Sequence, residues 1–194
     1  MAIEPRRRRS PEDARAEILR GAAELLTERP SGDVTVLAIM DRTTLSRKSF
    51  YVYFRDRSDL LAALVGPLRA DADRLLARWR ESTDAIGAGR AALRGAALAY
   101  RQHGAVLRAL AVASEQDPEA AAVWRGFIDP VVEVGAQKIR AAASTGLDPE
   151  ATARALVTMN VHCLLTLRPD ASGAEVDRLV ETLSTIWERT IFRA

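Results

Sequence analysis

The stretch from Val34 to Arg57 constrains this chain more than any other, because it reads as a helix, a tight turn and a second short helix ending in an aromatic cluster. Thr35 stands where a hydroxyl caps a helix carrying Val36, Leu37, Ile39 and Met40, and the polar Asp41-Arg42-Thr43-Thr44 ends that pattern. Leu45 plugs the turn. Ser46 offers a second N-cap, followed by Arg47, Lys48, Ser49, Phe50, Tyr51, Val52, Tyr53 and Phe54. A basic, hydroxyl-bearing first turn thus leads into an aromatic one. That order suits a helix entering a DNA groove by its N-terminus, where Arg47 and Lys48 meet phosphates or base edges and the helix dipole favours a polyanion. The charge distribution points the same way. The whole chain carries only +2, yet five basic residues face one acid, Asp56, between Arg42 and Arg57. Arg6 to Arg9 form a second basic cluster, in an arm that reads either as a minor-groove probe or as a solvated terminus.

The run Leu45-Ser46-Arg47-Lys48-Ser49-Phe50-Tyr51-Val52-Tyr53-Phe54-Arg55-Asp56-Arg57, followed by Leu60-Leu61, resembles the signature of the TetR family of bacterial transcriptional repressors. The resemblance implies a flexible basic arm over 1–10, a three-helix DNA-binding domain with a helix-turn-helix over 11–56, and a helical ligand-binding and dimerisation domain over 57–194. Carried over position by position, Thr35, Arg47, Lys48, Tyr51, Tyr53 and Arg57 match positions that meet DNA in the family. Ser46 matches the cap of the recognition helix, and Phe50 and Phe54 match its buried supports. Tyr51 and Tyr53 also admit a plain packing reading, with their hydroxyls in water. One departure falls in the turn itself: Thr44 stands where the family usually has Gly, and a β-branched residue disfavours positive φ.

The remainder reads as all-α, with about nine helices in total from the 3.6-residue periodicity. Hydrophobic content of 48% with only 5% aromatic residues, and much Ala and Leu, favours packed helices over sheets. Ser10 and Pro11 start a helix with Ile18, Ala22, Leu25 and Leu26 on one face. Asp56 caps a long helix striped by Leu60, Leu61, Leu64, Leu68, Leu75, Leu76 and Trp79, in which Gly66-Pro67 predicts a bend or break. A helix from Asp84 to His103 is followed by a short apolar one around Val106, Leu107, Leu110 and Val112. Asp117-Pro118 opens a helix with Trp124, Phe127, Ile128 and Val131, bent at Pro130, and Ser144-Thr145-Gly146 closes that segment. Asp148-Pro149 opens the next, whose apolar residues from Leu156 to Leu167 cover more than one face; the last helix carries Val176, Leu179, Val180, Leu183, Ile186, Trp187 and Ile191. These last two helices are the expected homodimer surface. Dimerisation is needed because one short reading helix covers half a site, so a palindromic double-stranded operator must present successive grooves roughly 34 Å apart.

The C-terminal part resembles the branch typified by the mycobacterial ethionamide-resistance regulator, through Trp124 with Phe127, Met159-Asn160 and Ile186-Trp187. The resemblance implies an aromatic-lined tunnel for a small apolar effector, with Asn160 hydrogen-bonding it. Trp79, Trp124, Phe127, Asn160 and Trp187 are the candidate ligand-binding residues. Val157 and Val131 stand where that regulator has Asn and Trp, which implies a narrower or less polar tunnel. On the residues alone, Asn160 lies between Met159 and Val161 in an apolar helix, and its buried amide needs a backbone carbonyl, a water or a ligand. On spacing alone, each tryptophan reads more often as core than as pocket wall.

Other chemistries find little support. No glycine-rich phosphate loop, nucleophile motif or metal-ligand spacing is present, so neither an enzyme nor a cofactor is expected. Cys163 is the only cysteine, which excludes an intrachain disulfide, and the adjacent His162 points elsewhere on a helix, so no metal site is expected. The N-terminal arginines precede no apolar run, and no stretch approaches a membrane span; a reducing cytoplasm is the expected location. The reading is a dimeric repressor that leaves its operator when a small apolar molecule binds. The alternative is a helical ligand- or partner-binding protein with weakened DNA binding.

Overall fold

A computed structural model describes residues 10–142 and 146–191. The basic arm through residue 9 and the expected loop residues Ser144 and Thr145 lie outside the described residues. Among the described residues the fold is all-α, with eight helices: α1 (Pro11–Glu28), α2 (Val36–Met40), α3 (Arg47–Tyr53), α4 (Arg57–Glu81), α5 (Ala85–Ala113), α6 (Pro118–Ala142), α7 (Pro149–Leu165) and α8 (Gly173–Ile191). A 3₁₀ turn, Ser31–Asp33, links α1 to α2.

Side-chain caps set most starts. Ser10 accepts the Asp13 backbone N–H at 3.0 Å while Asp13 reaches back to Ser10, and Thr35, Asp56, Asp84 and Asp148 each accept an N–H three residues on. Two expected breaks become something milder. α4 runs unbroken through Pro67, because Leu60, Leu61 and Val65 anchor it on one side and Leu76 and Trp79 on the other, which offsets one missing hydrogen bond. The boundary expected at His103 is a kink inside one helix, at φ −119 and ψ 16, so two expected helices are the limbs of α5. That is why eight helices stand where about nine were expected from periodicity.

α5 touches every other long helix and joins two cores. Its second limb sends Val106, Leu107 and Leu110 into the core of the N-terminal head, beside Ile18, Ala22 and Leu25 of α1, Ile39 of α2, and Phe50 and Phe54. Leu60, Leu61 and Val65 of α4 belong to the same cluster, so the head's core continues past Asp56. α1 crosses the end of α2 at Gly21, where a Cβ would lie 3.2 Å from the Arg42 Cβ. The first limb of α5 packs with α7 and α8 around Ala97, Leu164, Val176 and Val180. α7 buries Leu156, Val157 and Leu164, but its outward face carries Ala151, Ala155, Thr158 and His162, so no large apolar side chain of this helix reaches its exposed side.

Candidate nucleic-acid interface and ligand cavity

A helix as short as α3 has little stability of its own, so its direction is set by what it buries. Phe50 is 0% exposed and lies 5.6 Å from Phe54, edge-on to Tyr51 at 5.3 Å, and the Arg15 guanidinium sits 5.0 Å from the Phe54 ring centre. With Phe50 inward, the opposite face turns to solvent. Arg47 and Lys48 are exposed and make no hydrogen bond or ion pair among the described residues, and Tyr51 is 59% exposed. Arg42, by contrast, forms a two-bond pair with Glu28, and Arg55 reaches Glu119 at 2.9 Å. Two cations of the basic stretch are therefore uncommitted, and both stand in the first turn of α3.

The other candidate residues take varied places. Thr35 caps α2, accepting the Ala38 N–H at 3.1 Å, and is exposed. Ser46 occupies the N-cap position of α3 with extended backbone, but its hydroxyl pairs with that of Ser49 at 3.0 Å and caps no backbone N–H. The expected cap is thus corrected: a second hydroxyl three residues on competes for the first. Tyr53 is half-buried against the head's core. Arg57 is drawn inward, where its guanidinium donates to the Ser31 carbonyl and Nε has no partner; burial lowers its pKa. Its place is that of a brace between α4 and the α1–α2 turn. The Thr44 turn is held from α1, since both the backbone N–H and the hydroxyl of Thr44 donate to the Glu17 carboxylate, at 2.6 and 3.0 Å. Two exposed apolar side chains on the head, Val52 at 75% and Leu37 at 50%, were not anticipated; their signal was a hydrophobic residue off the core-facing stripe.

A polar joint ties this head to the rest. Ser58, at the start of α4, donates its hydroxyl to Asp117, which also accepts the Glu119 N–H at 2.8 Å and the Ala120 N–H at 3.4 Å, starting α6. The Ser58 hydroxyl first, and then the Glu119 N–H, hold the Asp117 carboxyl below its ordinary pKa.

Between α4, α5, α6, α7 and α8 lies a cavity of about 410 Å³, within the range of small-molecule sites. Four of the five candidate ligand residues line it: Trp79, Phe127, Asn160 and Trp187. Trp79 and Trp187 meet edge to face at 5.8 Å, with Trp79 Nε1 donating to the Ala85 carbonyl at 3.0 Å. Trp124 does not line the wall. It lies one turn nearer the start of α6, where it packs on the head's core instead. Val131 and Val157 line the cavity, as does Tyr100, whose phenol is pushed up by burial.

Three of the lining residues each carry a fully buried side-chain polar atom without a hydrogen-bond partner: Asn160 Oδ1, Ser184 Oγ and Trp187 Nε1. Ser184 was missed from the sequence, although a polar residue inside the apolar stripe of α8, three before Trp187, was the signal. Charged side chains at the cavity are engaged elsewhere. Arg90 pairs with Glu181 at 2.7 Å and Glu188 at 3.4 Å, Asp71 pairs with Arg74, and Lys138 donates to the Arg80 and Ser82 carbonyls at 3.0 and 2.9 Å. Among the described residues, no cluster of His, Cys, Asp or Glu could hold a metal ion, and no helix is long and apolar enough to cross a membrane.

Comparison with known proteins covers both halves of the chain. Residues 18–64 match the family described as bacterial regulatory proteins, tetR family, and residues 89–193 match the C-terminal domain of the transcriptional regulator EthR. The chain is 29% identical over 201 residues to the HTH-type transcriptional regulator EthR of Mycolicibacterium smegmatis, covering 97% of this chain and 92% of that protein. It is 28% identical to the same regulator from Mycobacterium tuberculosis, covering 97% and 93%. A TetR-like transcriptional regulator from Rhodococcus sp. RHA1 has the same fold, with a TM-score of 0.72 at 21% identity over 94% of this chain and 97% of that one.

Proposed function

We propose, for a chain that belongs to the TetR family of bacterial regulatory proteins and carries the C-terminal domain of the EthR regulators, that it is a dimeric repressor released from its operator by a small apolar molecule. The chain is a transcriptional regulator and not an enzyme. In this reading residues 11–56 read DNA and residues 57–194 bind the effector and dimerise, in the cytoplasm. The observation that carries it is the uncommitted cationic first turn of α3, held outward by buried Phe50.

Arg47 and Lys48 supply phosphate or base-edge contacts, supported by Thr35, the Ser46 and Tyr51 hydroxyls and the half-buried Tyr53, while Arg57 braces the turn. Two copies of α3, related by a two-fold axis, meet successive grooves of a palindrome. α7 and α8 form the subunit contact, where the small outward residues Ala151, Ala155 and Thr158 allow helices to approach closely.

Effector and operator are linked because α4 and α5 serve both sites. Leu76 and Trp79 of α4 line the cavity while Leu60 and Leu61 sit in the head's core; Tyr100 and His103 of α5 line the cavity while Leu107 and Leu110 reach the head. Filling the cavity shifts the population toward a head spacing that fits the operator less well, by no more than the effector's preference for that state. The test is selection of palindromic duplexes from a random pool by the full chain, followed by sedimentation of the complex. The expected result is a duplex retained against excess competitor DNA with two chains, or a multiple of two, bound. Recovery of random sequence only would refute the reading.

A further inference from the structure

α5 belongs to two bodies of the fold at once, and the kink at His103 lies where they meet. Its first limb packs through Leu93, Ala96 and Ala97 against α7 and α8, while its second limb sends Val106, Leu107 and Leu110 into the head's core. A change of angle at the kink therefore turns the head against α7 and α8. Apolar packing fixes such an angle loosely, because it has no direction; hydrogen bonds from a charged donor fix it closely.

Two arginines, one on each limb, reach the connection between α7 and α8. Arg101, before the kink, donates to the Ala171 carbonyl at 3.4 Å. Arg108, beyond it, donates through Nη1 to the carbonyls of Leu165 and Leu167, at 3.1 and 3.5 Å. Leu165 ends α7, so its carbonyl is among those a helix leaves without an intrahelical partner, and a cation there also meets the negative end of the helix dipole. Gly104, beside the kink and one turn before Arg108, is buried, and a Cβ built on it would lie 2.9 Å from Arg108 Nη1. The guanidinium thus lies in the space left by the missing side chain.

We propose that Arg108 is a positioning residue for operator binding: it straps the head-bearing limb of α5 to the end of α7 and so sets the separation of the two reading helices. This rests on the reading of the chain as a dimer joined through α7 and α8. Arg101 holds a limb that Leu93 and Ala97 already pin to those helices. Arg108 alone of the two crosses to the limb that travels with the head. With the strap released, the head samples several angles, and affinity for one operator falls with the fraction still poised for it.

The test takes the operator duplex selected from the random pool and adds or removes one base pair at its centre, moving one half-site by about 3.4 Å and about 34°. Affinities of the full chain and its variants are read by fluorescence anisotropy, with thermal melts alongside. Arg108→Met and Gly104→Ala bind the selected spacing about tenfold more weakly and lose most of the preference over the shifted duplexes. Gly104→Ala keeps the arginine and only displaces it, and Ala is otherwise favoured over Gly within a helix, so a flattened preference in a chain that melts normally is not a folding defect. Arg108→Lys, which keeps one cationic donor, restores part of the preference, and Arg101→Met leaves it as in the wild type. Equal weakening at every spacing, unchanged spacing preference, or the same flattening in Arg101→Met overturns the proposal. If no duplex is selected, the operator reading fails by itself and the strap is read without DNA. Nitroxide labels on Glu24→Cys of the head and Gln137→Cys of α6, both exposed, are placed in a Cys163→Ser chain diluted with unlabelled chain. Arg108→Met and Gly104→Ala broaden the distribution of that distance, and a distribution as narrow as with the strap intact overturns the proposal.

Discussion

Replacing Arg47 and Lys48 together by Ala tests the reader helix most directly. Both side chains are exposed and without an internal partner, so their removal leaves packing intact and changes folding stability by no more than about 0.5 kcal/mol. Each head loses two cations, and a complex with two heads loses four. Every phosphate neutralised contributes about 0.9 to the slope of log affinity against log salt, so the slope should fall by about 3.6. Between about 50 and 200 mM salt, the wild type should then lose about 150-fold more affinity than the variant. Fluorescence anisotropy of a labelled operator duplex across that range, paired with urea melts, measures both quantities. An unchanged slope with an unchanged melt would refute the assignment of these residues. A fall of about 1.8 would refute the two-headed complex instead, since it reports one head on the duplex.

Phe50→Ala empties the support of the same helix and should cost about 3–5 kcal/mol in urea melts, whereas Val52→Ala, on the exposed face, should stay within about 0.5 kcal/mol. Similar losses for the two would mean that α3 is not oriented by Phe50. Glu17→Ala frees both hydrogen bonds to Thr44; it should cost about 1 kcal/mol of stability and weaken operator binding while the subunits stay paired in sedimentation. The joint at Asp117 predicts a pH dependence. Its carboxyl is held below the ordinary 3.8 in the folded chain, so the stability it contributes is present above that value and lost as pH falls through the folded pKa. Asp117→Asn should therefore be less stable than wild type near neutrality, and the gap should close in melts below the ordinary carboxylate range. A gap that persists or widens in acid would contradict the joint.

Much of the fold was legible because its signals are local. A cap needs only a hydroxyl or carboxylate and an N–H three residues on, so Ser10, Thr35, Asp56, Asp84 and Asp148 marked helix starts without reference to anything distant. Ser46 shows where even that rule yields, since the Ser49 hydroxyl competes within the same turn. What proved illegible was decided by residues far apart in the chain. Pro67 interrupts α4 only if nothing holds its two flanks, and the head's core and the cavity wall hold both. Trp124 and Phe127 share an apolar stripe, yet one turn of helix decides between the head's core and the cavity. Arg57 carries the charge of a DNA contact, and only its proximity to the Ser31 carbonyl makes it a brace. The chain by itself determined the helices, the cationic reader and the phenylalanines behind it, because capping, periodicity and charge act within a few residues. Which polar atoms were left unpaired, and that three of them belong to residues lining one cavity, was decided only by tertiary packing, because a hydrogen-bond partner is absent only once every neighbour is in place.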